Sequence, residues 1–414
     1  MAEVCPVSHQ LFEPCVIGPV RLRNRSIRAA AFEGMAPGHA PSPALVAYHR
    51  EVAEGGVGMT TVAYAAVEQS GLSFAHQLWL RPEVVPGLRA LTDVVHAAGA
   101  KASIQLGHCG NMAKRSVAGG RPIAPSARFN LYGGPTWPRA MDSQDIARVV
   151  QSFGRAVHLA RDAGFDAVEI HAGHGYLISQ FLSPATNFRR DAYGGPLAHR
   201  LRFMREVMAE VAAAAAGQIA VLVKLNMRDG FTGGMELEES ITAARTLAED
   251  GADALVLSGG FVSRAPMAVM RGSMPTAVMS RLIPQWHLKL GLSLLGQRLV
   301  PPVPYVDNYF LPDALEVMRA VKVPLVYIGG AASRAAIDEA LGHGFVAVAM
   351  ARALIRDPGF VRRLAEAEGR TAGCDHCNYC AARIYTTSMA CHHRDPPPLA
   401  IRRHLVIPGA GRDV

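Results

Sequence analysis

The segment VEIHAGHGYLISQFLSPATNFRRDAYGG, residues 168–195, gathers side chains that could do chemistry. His171, His174 and Tyr176 follow one another closely, separated by Gly173 and Gly175. On a helix the two histidines would lie one turn apart, as zinc ligands do, but the glycines argue against a helix at this point. At a strand tip, two imidazole donors can instead clasp a carbonyl oxygen, and a neighbouring phenol can deliver a proton. The plainer alternative is a pair of structural histidines in a glycine turn.

Other positions offer complementary chemistry. Lys224, in VLVKLNMRDGF, is a lone cation in an apolar strand. A buried ammonium must be paired, neutralised or matched to an anionic ligand, which suits either a Schiff-base lysine or a counter-charge to a cofactor. Gln105, in KASIQLGHCGN, offers amide donors and acceptors to a planar heterocycle with imide edges; the duller reading is a buried structural amide. Gly329 and Gly330, in VYIGGAAS, let backbone N–H groups approach an oxyanion, and Arg352, in VAMARALIRDP, adds a planar fork for phosphate. Cys374, Cys377, Cys380 and Cys391 are spaced C-x2-C-x2-C-x10-C. Four thiolates so spaced can surround a tetrahedral zinc or a [4Fe–4S] cluster, or remain an empty thiol group.

Short apolar runs must position these residues. They fall at 26–30, 58–62, 102–106, 167–171, 220–225, 254–257, 325–328 and 347–350, and amphipathic stretches such as 145–163, 198–215 and 236–249 lie between them. Near-continuous apolar strands alternating with helices imply a parallel sheet covered on both faces, and eight repeats favour a closed (β/α)8 TIM barrel over an open sheet. Each candidate residue other than the four cysteines then stands at or just beyond a strand's C-terminal end, where barrels place their chemistry. Long excursions at 107–142 and 259–311 are expected to line or cover the site. The domain reading is a barrel over 1–370, a four-cysteine segment over 371–393 and a poorly ordered tail over 394–414.

Composition limits the rest. Of 414 residues, 50% are hydrophobic and 18% charged, which excludes a disordered chain. The net charge of +8 comes mostly from scattered arginines, without a basic run or interleaved aromatics, so nucleic acid is not an expected partner. The longest apolar stretch, 211–223, is interrupted by Gly217 and Gln218 and is too short for a membrane span. No basic, apolar leader opens the chain, and the reading is cytoplasmic.

The segments LRNRSIRAAAFEGM, GGVGMTTVAY, IQLGHCGN, IHAGHGYLISQFLSPATNFRRDAYGG, VKLNMRDGF, VYIGGAAS and AMARALIRDP occur in an order that resembles the old yellow enzyme family of FMN-dependent barrels. The resemblance runs from about residue 10 to 370. It implies that Ala30, Ala31 and Tyr64 lie at the flavin edge, Gln105 on its pyrimidine side and Lys224 near N1 and O2. Gly329, Gly330, Ala351 and Arg352 would hold the phosphate end. By the same likeness, NAD(P)H reduces FMN, His171 and His174 bind the carbonyl oxygen of an α,β-unsaturated substrate, and Tyr176 protonates the α-carbon.

Two departures stand out. The family usually has Arg where Lys224 stands. It often has Thr or Cys near the first strand, where residues 29–34 offer only Glu33, an anion expected to disfavour reduced flavin. The cysteine spacing resembles the cluster-binding segment of 2,4-dienoyl-CoA reductase and trimethylamine dehydrogenase, where electrons pass on to an FAD- and NAD-binding domain. No glycine-rich dinucleotide fingerprint follows residue 391. A cluster here would therefore speak to a separate electron-transfer partner or be vestigial.

The leading expectation is an FMN-dependent reductase of an unsaturated carbonyl or dienoyl compound. Behind it stand an electron-exporting flavin dehydrogenase, a Schiff-base lyase using Lys224, and a non-catalytic flavin or metal sensor. Oligomeric state is left open.

Overall fold

In a computed structural model of the chain, the described residues are 10–130, 136–282, 286–366, 371–384 and 388–398. Eight parallel strands close into a barrel: β1 (Ser26–Arg28), β2 (Met59–Ala66), β3 (Lys101–Gly107), β4 (Ala167–Ala172), β5 (Ala220–Asn226), β6 (Ala254–Ser258), β7 (Leu325–Ile328) and β8 (Ala347–Met350). Each pairs with its neighbours in sequence, and β8 closes the ring on β1 through Ala349 and Ile27. The eight apolar runs anticipated from sequence are these strands, because burial on both faces selects continuous Val, Ile, Leu and Ala.

Helices α1 (Pro43–Glu54), α2 (Val85–Ala97), α3 (Ser143–Asp162), α4 (Arg202–Ala215), α5 (Leu237–Glu249), α6 (Leu311–Ala320), α7 (Arg334–Gly342) and α8 (Phe360–Glu366) follow the strands in turn. Helix α3 shows how the outer layer forms. Asp142 accepts from the Asp145 N–H at 2.8 Å, and Asp145 accepts from the Asp142 N–H at 3.1 Å, a reciprocal cap that satisfies two otherwise orphaned donors. Ile146, Val149, Phe153, Ala156, Val157 and Ala160 then form its buried stripe against the barrel.

The barrel floor is sealed by a hairpin of Cys15–Ile17 and Val20–Leu22. Its turn places Gly18 at φ +52°, and its inward residues Cys15, Ile17, Val20 and Leu22 pack with Met59, Leu222, Val256 and Val326. With the floor closed, the cavity opens at the strand C-terminal ends.

Near that mouth β2 departs from regular register between Val62 and Ala65. The irregularity falls at Tyr64, which lines the cavity. The excursion at 259–311 supplies Val262, Val269, Met270, Tyr305 and Tyr309 to the wall, as anticipated. The excursion at 107–142 supplies no lining residue of this cavity among its described positions; it packs behind the wall, with the Cys109 thiol 3.3 Å from the Tyr64 hydroxyl.

Candidate active site

The cavity at the barrel mouth is lined by Ala30, Ala31, Tyr64, Gln105, His171, His174, Tyr176, Lys224, Gly329, Gly330, Ala351 and Arg352. Residues dispersed over most of the chain thus converge on one space. Cys374 and Cys380 border it as well.

At its base lies a buried ion pair. The Glu169 carboxylate accepts through Oε1 from Lys224 Nζ at 2.8 Å and from Gln105 Nε2 at 2.6 Å. All three residues are buried. Lys224 is therefore paired, which resolves the choice left open by its sequence. Among the described residues, two ammonium hydrogens, one Gln105 amide N–H and the Gln105 Oε1 remain for a ligand. Sequence reading passed over Glu169, yet the period of two in VEIH puts it on the same interior face as His171.

His171, paired in register with Lys224, occupies the next layer. The chain beyond it turns through left-handed backbone at His174 (φ +59°) and Gly175 (φ +79°), so the two histidines meet across a turn and not along a helix. A Cβ at Gly175 would come within 2.3 Å of the Phe261 ring, which explains glycine there. The imidazoles cross edge-on with centroids 5.1 Å apart, and the Tyr176 ring is 4.5 Å from that of His171.

Three unanticipated contacts fix the pair. Asn226 Oδ1 accepts from the His174 N–H at 2.9 Å, Ser258 Oγ lies 2.8 Å from His174 Nε2, and the Gly173 N–H donates to His171 Nδ1 at 3.4 Å. Burial and the adjacent Lys224 charge pull His174 down to about 3. Burial, then His174 and Lys224, hold His171 well below the ordinary imidazole range. Both rings are neutral at physiological pH, each with one donor and one acceptor nitrogen.

Glu33 behaves differently from its sequence expectation. Its carboxylate does not line the cavity. It meets Arg28 Nη1 at 2.6 Å and accepts from the Ala63 N–H at 3.0 Å, with His49 Nε2 at 3.4 Å. The buried guanidinium compensates its charge.

At the opposite end, Gly329 (φ +122°) and Gly330 (φ +90°) carry β7 into its loop. A Cβ on Gly330 would approach the Asn308 N–H to 2.6 Å. Arg352 donates to Asn378 Oδ1 at 2.9 Å and to the Arg271 carbonyl at 3.1 Å. Small residues along one wall, edge-reading polar groups at the base and a glycine-plus-arginine end match the shape and charge of FMN, which supplies hydride-transfer chemistry when bound.

Cys374, Cys377, Cys380 and Cys391 all border a second, smaller cavity that shares Arg352, Cys374 and Cys380 with the first. Burial raises all four thiols, Cys380 to about 12. Asp375, Cys377 and His392 bring a carboxylate, a thiol and an imidazole within 4.8 Å of one another, a set that cysteine spacing alone did not suggest. The Asp375 and His392 side chains are 2.6 Å apart.

An FMN oxidoreductase barrel is what this fold and site define. The chain belongs to the NADH:flavin oxidoreductase / NADH oxidase family, whose signature matches residues 10–283. It is 42% identical over 383 residues to the 4,4'-dithiodibutanoate disulfide reductase of Rhodococcus erythropolis, covering 91% of this chain and 93% of that one. Its fold matches 2-naphthoyl-CoA reductase with a TM-score of 0.80 at 22% identity, over 96% of this chain and 58% of that one. It also matches the old yellow enzyme homologue of Zymomonas mobilis with a TM-score of 0.71 at 24% identity, over 94% and 100% of the two chains. No helix among the described residues is long and apolar enough to cross a membrane.

Replacing Lys224 with Met leaves Glu169 buried without its cation and should destabilise the protein by about 3–5 kcal/mol, measured by urea denaturation. Adding Glu169→Leu should restore much of that stability without restoring FMN affinity. Recovery of both would show that Lys224 serves folding alone.

Proposed function

We propose that the enzyme reduces the C=C bond of an α,β-unsaturated carbonyl compound, using FMN recharged by NAD(P)H. The observation that carries this reading is the neutral His171/His174 pair beside Tyr176 at the mouth of a barrel with an FMN-shaped site. Gly173 donates to His171 Nδ1, so the hydrogen of that ring belongs on Nε2. When Ser258 donates to His174 Nε2, the hydrogen of the second ring belongs on Nδ1.

Two neutral donors then converge on the substrate oxygen and stabilise the negative charge that grows there as the β-carbon is reduced. Tyr176 gives its phenolic proton to the α-carbon. Phe32, Val262, Val269 and Met270 form apolar walls around these groups, exclude water and favour a hydrophobic acceptor.

A second acceptor class has its own support. The relative that is 42% identical over 93% of its length is named for reduction of a disulfide. With such a substrate, Tyr176 would protonate the departing thiolate.

The four-cysteine cavity is read as the seat of a [4Fe–4S] cluster. A tetrahedral zinc draws its ligands to about 2.3 Å from the metal, hence close to one another. The close set among the described residues is Asp375, Cys377 and His392, which holds one of the four cysteines, while all four border one cavity. Its shared border with the main cavity would give electrons a route toward a separate protein partner.

Tyr176→Phe should keep its flavin while enone reduction slows by about 10²-fold in stopped-flow assays; reduction at the parental rate would remove Tyr176 as the acid. Metal analysis of anaerobically purified protein should find about four irons per chain, lost in Cys377→Ser. One zinc, or no metal, would refute the cluster.

A further inference from the structure

The segment that follows the barrel does more than present cysteines. At one end Cys374 and Cys380 border the space around Arg352, and Asn378 is tied to Arg352, to the Arg271 carbonyl at 2.8 Å and to the Ser273 carbonyl at 3.2 Å. At the other end the segment crosses to the far side of the mouth. His76 Nε2 lies 2.9 Å from the Ile384 carbonyl, and the Met389 N–H donates to the Glu33 carbonyl at 2.7 Å. Ala381, Ile384 and Met389 line the main cavity.

Those anchors lie beside the reacting groups. The Phe32 ring is 5.7 Å from His76 and 5.4 Å from Tyr64, and Tyr64 is 5.0 Å from Tyr176. Ile384 and Met389 therefore stand at the acceptor end, and three ring contacts lead from the His76 anchor of Ile384 to the acid. Both occur between Cys380 and Cys391, the ten-residue interval of the cysteine pattern. Their placement depends on a backbone secured on either side by residues that border the small cavity.

Resting on the reading of this cavity as an acceptor site, we propose that Ile384 and Met389 are specificity-determining residues that set the size of acceptor admitted, and that occupancy of the four-cysteine cavity holds them in place. The side chains are apolar and project no group that could take part in chemistry, so their effect is on fit. A loss of contacts here alters discrimination between acceptors of different bulk.

The test uses FMN-loaded full-length protein and two ketones, 2-cyclohexenone and a 4-phenyl-substituted cyclohexenone. The ratio of their Kd values, bulky over small, is read from ligand-induced changes in flavin absorbance, with KM ratios alongside. Met389→Ala and Ile384→Ala should each lower the ratio about tenfold. Met389→Phe, which adds bulk, should raise it. Cys391→Ser should shift it in the direction of the alanine variants.

Ratios unchanged in the alanine and phenylalanine variants would overturn the wall. Ratios that move in those variants but not in Cys391→Ser would overturn its dependence on the cysteines. Because Kd needs no turnover, a parent enzyme that binds both ketones and reduces neither would count against the ene-reductase reading alone.

Discussion

A carboxylate buried inside a barrel is tolerable only when its charge is met, and Glu169 meets that condition with two partners at one oxygen. Lys224 comes from β5 and Gln105 from β3, so the contact joins three adjacent strands across the barrel interior. It also orients the two polar groups at the base of the cavity. Burial first, and with it the ammonium that neutralises Glu169, depress His171 and His174, which keeps them uncharged. The ammonium at the cavity base thus bears on both the Glu169 charge and the protonation state of the histidine pair.

A second buried pair, Arg28 with Glu33, organises the neighbouring rim. The guanidinium also donates to the Ala31 carbonyl at 2.8 Å, which fixes the chain where β1 leaves the barrel. The carbonyl of Glu33 accepts from Met389, so the rim in turn anchors the C-terminal segment. A network remote from the reacting atoms in this way defines two walls of the cavity, one from the first strand and one from the cysteine segment.

Much of this was legible in the sequence because it depends on local pattern. Strand runs such as AVLVKLN and the HAGHGY turn carry their signals within a few residues, and the barrel's habit of gathering strand tips places the rest. Glu169, Asn226, Ser258 and Asn378 were missed because their roles come from partners tens of residues away. Lys224 could be flagged as needing a partner, but the sequence does not say which acid provides it. Glu33 shows the reverse: an anion next in sequence to cavity-lining residues was expected to act on the cavity, while its side chain faces Arg28. The tail from 399 onward lies outside the described residues.

The central claim is that substrate oxygen is held by two uncharged histidines. The most direct test is the rate at which pre-reduced, FMN-loaded enzyme is reoxidised by saturating 2-cyclohexenone between about pH 5.5 and 8, a range lying above the depressed His174 value of about 3. The account predicts no titration from the histidine pair across that range, so the parent and His174→Gln profiles share one shape, offset in rate. A step with a midpoint between about 6 and 7 that is present in the parent and abolished in His174→Gln would show that an imidazolium takes part, and would contradict it.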